Sequence, residues 1–147
     1  IWEQVFRTGL NSAQRRCYYK RPQTILINRQ GGDDMGFVRV YTGDDGQSHF
    51  EDLDLLPADV ERSVSQATAN ITCGRSRDES FNDWHTAPRR QYAIFMSGGQ
   101  MEVGMGDGTV RRFGPGDAVL FEDLTGQGHT SRTVGGDHLS VIVPVAE

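Results

Sequence analysis

Cysteine is nearly absent from this chain: Cys17 and Cys73 are the only two in 147 residues. Neither stands in the short spacing of a metal knuckle or a redox pair, so a disulfide framework and a cysteine-held metal are both excluded. Two isolated thiols read as a reduced, cytoplasmic protein. Long apolar runs are missing too. No stretch approaches the 18 or so residues needed to cross a bilayer, and no apolar h-region follows the N-terminal charges, so no membrane partner and no secretory signal are expected. Positive charge is short, with 15 Lys and Arg against 20 Asp and Glu and a net charge of −5. It is also uneven. Residues 1–32 carry +5, from Arg7, Arg15, Arg16, Lys20, Arg21 and Arg29 against Glu3, which leaves −10 for the remainder. Phosphate recognition needs clustered cations, so the acidic body argues against a nucleic-acid partner. There is no G-x-S-x-G elbow, and neither cysteine has a histidine nearby in sequence, so a serine or cysteine nucleophile has no support.

What the chain does have is glycine, 18 residues of it. From Met35 onward it falls in turn signals: TGDDG at 42–46, SGG at 97–99, GDG at 106–108, GPGD at 114–117, TGQG at 125–128 and GGD at 135–137. The last five recur every 8 to 12 residues between short alternating segments, which is the pattern of an all-β sandwich or barrel. The predicted strands are 36–42, 47–54, 69–75, 89–97, 100–105, 109–113, 117–122, 129–134 and 138–145. LPADVERSVSQA, after Pro57, reads as a short helical turn. Pro115 presets a turn dihedral, Gly116 accepts a positive φ and Asp117 takes hydrogen bonds from turn amides, so GPGD makes a tight barrel corner. GMGDG opens no helix and is no phosphate loop.

Residues 1–34 read as a basic N-terminal extension to a domain spanning 35–147. Ile1, Val5 and Phe6 share a helical face that fades by Asn11. The extension is a leader, an organelle-targeting presequence, or an arm whose TILIN segment adds a strand to the barrel edge or to a partner subunit.

The order H…Q-Y-x-I-x-x-S-G-G…G-D-G…F-G-P-G-D…G-x-G-H, from His85 to His129, resembles the cupin superfamily. FGPGDAVLF matches its second motif, with His129 at that motif's histidine, and SGG matches the glycine of the first. GQSHFEDL, DWHTAPRRQY and FEDLTGQGH together are similar to a subgroup of small single-domain cupins. The resemblance covers about residues 36–145 and implies a small antiparallel jelly-roll barrel, a small-molecule substrate and a homodimer.

The chain departs from the family at the metal site, which normally offers three histidines and a glutamate. With Gln91 at the glutamate position, either His85 and Ala87 or Trp84 and Thr86 fall where the paired histidines belong. Two imidazoles without a carboxylate are a poor site for a divalent ion. Period 2 places His49 and Glu51 on one strand face; if that face points inward, His49, His85 and His129 converge on one divalent ion (Fe, Mn, Ni or Zn), with Glu51 or Glu122 as carboxylate. Otherwise no cofactor is expected, and His85 and His129 trade a proton with the substrate. Glu122 or Asp123 orients the imidazole of His129. Arg89 or Arg90 points inward beside Gln91 to hold an oxyanion, or else pairs with Glu122 or Asp123 at the rim. Trp84 is an aromatic wall at the mouth or a packing lid. Arg111 and Arg112 with Glu102 form an exposed cross-strand pair, and His138, after GGD, reads as a surface or turn residue.

The expected function is an isomerase, cyclase or lyase acting by proton transfer. His85 and His129 are its acid–base pair, Glu122 supports them, and Arg89, Arg90, Gln91 and Trp84 bind the substrate. The rivals are a metal-dependent dioxygenase and a non-enzymatic ligand-binding module.

Overall fold

A computed structural model describes residues 25–26, 37–53, 66–68 and 70–146. The helical turn expected after Pro57 and the N-terminal helical face lie outside the described residues. Those that are described contain nine strands and no helix: β1 Ile25–Leu26, β2 Phe37–Thr42, β3 Ser48–Asp52, β4 Thr72–Ser76, β5 Phe81–His85, β6 Gln91–Gly104, β7 Thr109–Phe113, β8 Ala118–Glu122 and β9 His129–Pro144. Among the described residues no helix is long and apolar enough to cross a membrane. Strand pairing is antiparallel except for β2 with β8 and β1 with β7, which run parallel. The β1 bridge sets Ile25 and Leu26, from TILIN, beside Thr109 and Val110.

Two long strands organise everything else. The first part of β6, Gln91–Ile94, pairs with β8 on one side and with the end of β9 on the other. Its last part, Met101–Gly104, pairs with β7 and with the start of β9. One layer therefore runs β3-β2-β8-β6-β9-β4 and the second β1-β7-β6-β9-β5, with β6 and β9 passing through both. This is the jelly-roll arrangement, an all-β barrel of two layers joined at bent strands.

SGG and GGD were expected to close hairpins. Instead they face one another inside the β6–β9 ladder, where the register shifts between Phe95 and Ser97 and again between Gly98 and Gln100. A Cβ on Gly98 would lie 2.0 Å from the Asp137 carbonyl oxygen, and one on Gly99 would lie 2.1 Å from that of Gly136. Only glycine lets the two backbones approach this closely, and the paired bulges turn both strands into the second layer. One continuous strand thus replaces each of the pairs predicted at 89–97 with 100–105 and at 129–134 with 138–145.

The bulge also resets the alternation of β9. Before it, His129, Ser131 and Thr133 are buried; after it, His138 is buried and the even positions face inward. β5 was not foreseen as a strand. Between the layers lie Val38, Val40, Phe95, Val103, Phe113 and Val119, all at most 2% exposed. Each contributes about 1.5–3 kcal/mol by burial. Phe113 of β7 meets Phe95 of β6 at 6.2 Å and Phe50 of β3 at 6.3 Å between centroids, which closes the two layers on each other. Arg112 bonds Glu102 directly across the β6–β7 hairpin, as the charge pattern predicts. Arg111 reaches Asp52 on β3 and lies over the Phe50 ring.

Candidate functional site

β5 and β9 place His85 and His129 directly opposite each other in register. Their rings lie 4.4 Å apart between centroids, and both line one cavity of about 290 Å³. Gln91, Phe121, Ser131, His138 and Ser140 share its wall. The backbone explains the convergence. Gly128, at φ 77°, brings the loop before β9 against the end of β5. Ala87 N donates to the Asp123 carbonyl at 3.1 Å, which ties the His85 loop to the end of β8.

Both imidazoles are held through Nδ1. In His85 that atom lies 2.7 Å from the Asp83 carbonyl oxygen. A carbonyl only accepts, so His85 Nδ1 carries the hydrogen, and in the neutral ring Nε2 carries the lone pair. In His129, Nδ1 lies 2.6 Å from Asp123 Oδ2, which also accepts from Ser48 Oγ at 2.9 Å. Asp123 is wholly buried, and His129 is 4% exposed with Phe121 stacked on its face at 4.8 Å. No described hydrogen bond occupies either Nε2.

Asp123, not Glu122, therefore orients His129. Along β8 Val119 and Phe121 join the core cluster and Leu120 does not, so Glu122 falls on the outer face and Asp123, one residue on, turns inward. Glu122 is bonded to Arg39 and Arg90. Arg90 is thus engaged outside the cavity: Gln91 faces inward, and its neighbour on the strand must face away. Arg89 is exposed and is not among the lining residues, and neither is Trp84, which is 44% exposed. The guanidinium expected beside Gln91 is not there.

His49 does not join the other two imidazoles. Ser48 and Phe50 occupy the inward face of β3, the one bonded to Asp123 and the other against the core. His49 and Glu51 are left outside, where they pair with Asp45 and Arg39. Among the described residues no three His, Cys, Asp or Glu side chains lie close enough to hold one metal ion. Two imidazoles beside the Gln91 amide do not make the donor set a divalent ion requires.

His138 is the residue that sequence reasoning misplaced. It is 3% exposed, not on the surface, because GGD forms a bulge within β9 instead of a turn. Burial holds its pKa below the ordinary 6.5. The unfolded chain therefore takes up a proton that the folded chain resists, and stability falls as the pH drops below about 6.5 until it passes the lowered folded value. One such group sets a slope no steeper than about 1.4 kcal/mol per pH unit. Urea unfolding at stepped pH is expected to show this decline in the unsubstituted protein and a flatter profile in His138→Gln.

No family model and no curated protein matches the chain. Similar solved structures include the DMSP lyase DddQ from Ruegeria pomeroyi, at 21% identity and a TM-score of 0.43, with 52% of this chain and 38% of the lyase covered. A cupin domain from Bordetella pertussis is similar at 13% identity and a TM-score of 0.43, over 57% of this chain and 88% of that one. A Neisseria meningitidis protein is similar at 18% identity and a TM-score of 0.41, over 59% and 90%. PGD stands at the corner before β8, His129 at the head of β9, and two bent strands join the layers around an imidazole-lined cavity, so by fold the chain is a jelly-roll β-barrel.

Proposed function

We propose that the cavity catalyses proton transfer on a small oxygenated organic molecule, as an isomerase, cyclase or lyase does. The observation that carries this reading is the facing pair, His85 and His129, 4.4 Å apart with both Nδ1 atoms engaged. His85 presents a lone pair at Nε2 and acts as the base. His129, when it carries a second proton, presents Nε2–H while the buried carboxylate of Asp123 stabilises its charge, and it acts as the acid. For a ketone bound in the cavity against both rings, His85 takes the α-proton and the C–H electrons move into the enol double bond. The carbonyl electrons then take the proton of His129. Phe121 and Ala93 give the cavity apolar wall.

Cyclohexanone in D₂O provides the test. The protein is expected to exchange its α-hydrogens faster than buffer does. His85→Ala and His129→Ala are each expected to slow that exchange on the order of a hundredfold or more. Saturable binding of the ketone without any exchange would replace the enzyme by a ligand-binding module. A divalent ion held at one equivalent after dialysis, and lost in His129→Ala, would return the site to metal chemistry.

A further inference from the structure

We propose that His138 is a second anchor of the cavity, hydrogen-bonding a hydroxyl or carbonyl group on an uncharged ligand whose other polar end lies against His85 and His129. The proposal rests on the proton-transfer reading for the first end alone. Four observations support it. His138 lines the same cavity as the facing pair. It is 3% exposed, and its Nδ1 is buried without a hydrogen-bond partner. A ligand that hydrogen-bonds this ring from the cavity side gives it the partner that the fold does not supply. The ring stands edge-on to Phe95, 5.5 Å between centroids, so apolar surface holds it in place. Ser76, its register partner, and Ser140 bring hydroxyl groups to the same wall.

The lining also sets the ligand's charge. Among the described lining residues there is no carboxylate. Arg75 is the one residue of the lining that carries a guanidinium, and it holds an exposed position of β4 between the less exposed Gly74 and Ser76. Burial favours the neutral form of His138. An anion set against the neutral ring of His138 would give up its hydration there without a charge partner on that ring. A neutral molecule with an apolar middle and an oxygen at each end fits the wall.

Three probes test this: 4-hydroxycyclohexanone, with oxygen at both ends, cyclohexanone, with one, and cyclohexanecarboxylate. The hydroxyketone is expected to bind about tenfold more tightly than cyclohexanone, as one added hydrogen bond implies. His138→Phe is expected to abolish that advantage and His138→Gln to keep part of it. The carboxylate is expected to bind more weakly than either ketone. In the unsubstituted protein, the side-chain ¹⁵N resonance of His138 should move with the hydroxyketone and not with cyclohexanone, a readout that needs no variant to fold. The proposal is overturned if that resonance stays still, if the advantage survives in His138→Phe, if the carboxylate binds best, or if neither ketone binds at millimolar concentration. Deuterium exchange is a separate readout. Its loss with His138-dependent binding intact would sink the proton-transfer reading and leave this one standing.

Discussion

Asp123→Asn is expected to remove most of the exchange activity while leaving a folded, weakened protein. The carboxylate accepts two hydrogen bonds through Oδ2, from Ser48 and from His129, with no exposure to solvent. An asparagine keeps the shape and loses the charge. Hydrogen bonds to a charged group contribute about 1.5–3 kcal/mol, so urea unfolding should show a loss of about 2 kcal/mol. The effect on rate is larger. An amide nitrogen turned toward His129 would force the lone pair onto Nδ1 and the hydrogen onto Nε2, which is the wrong tautomer for a ring that must shuttle protons at Nε2. A loss on the order of a thousandfold or more in exchange rate is expected. A role confined to stability would leave the pH profile of the remaining activity unchanged, so the profile distinguishes positioning from packing. Full exchange in folded Asp123→Asn would remove His129 from the mechanism.

Gly128→Ala is the second large effect, and it reaches the site through the backbone. Gly128 has φ 77°, and a Cβ there would lie 2.0 Å from the carbonyl oxygen of His85 and 2.3 Å from its carbonyl carbon. These are backbone atoms of the residue whose ring faces His129, so no rotamer change relieves the clash. The left-handed conformation alone costs a residue with a side chain about 1–2 kcal/mol. Displacement of the β5 end adds to that, and a total loss of about 3 kcal/mol or more is expected. Gly116→Ala is the control. It too has a positive φ, 93°, but nothing lies within 4 Å of its added Cβ, so it should lose only the conformational part and keep its activity. A Gly128→Ala protein as stable and active as Gly116→Ala would show that the approach of the two loops does not hold the imidazoles together.

Alternation in sequence was a sound guide to these strands and a poor guide to their phase. SHFED places His49 with Glu51 and Ser48 with Phe50, and the structure keeps that division. Which pair faces inward depends on Asp123, which accepts the Ser48 hydroxyl from a residue 75 positions away. The same holds for FED: period 2 separates Glu122 from its neighbours, and only the place of Val119 and Phe121 in the core shows that Asp123 has the inward place. Arg90 follows from the same rule, since it precedes an inward Gln91 and so pairs with the outward Glu122. His138 was misplaced for a different reason. Two glycines and an aspartate make a hairpin turn or a bulge with the same residues, and what selects the bulge is the opposing SGG on β6.

The sequence by itself determined the all-β class and the tight corner at GPGD, because turn chemistry and period-2 patterning are local and need no partner to act; that His85 and His129 share a hollow was an expectation of the family resemblance, and the pairing of β5 with β9 realises it. Only the tertiary structure decided which carboxylate serves His129, that His49 stands outside and that His138 stands within. Those assignments depend on which face of each strand is buried, and burial is settled by strands distant in the chain, packed through the bend of β6 and β9.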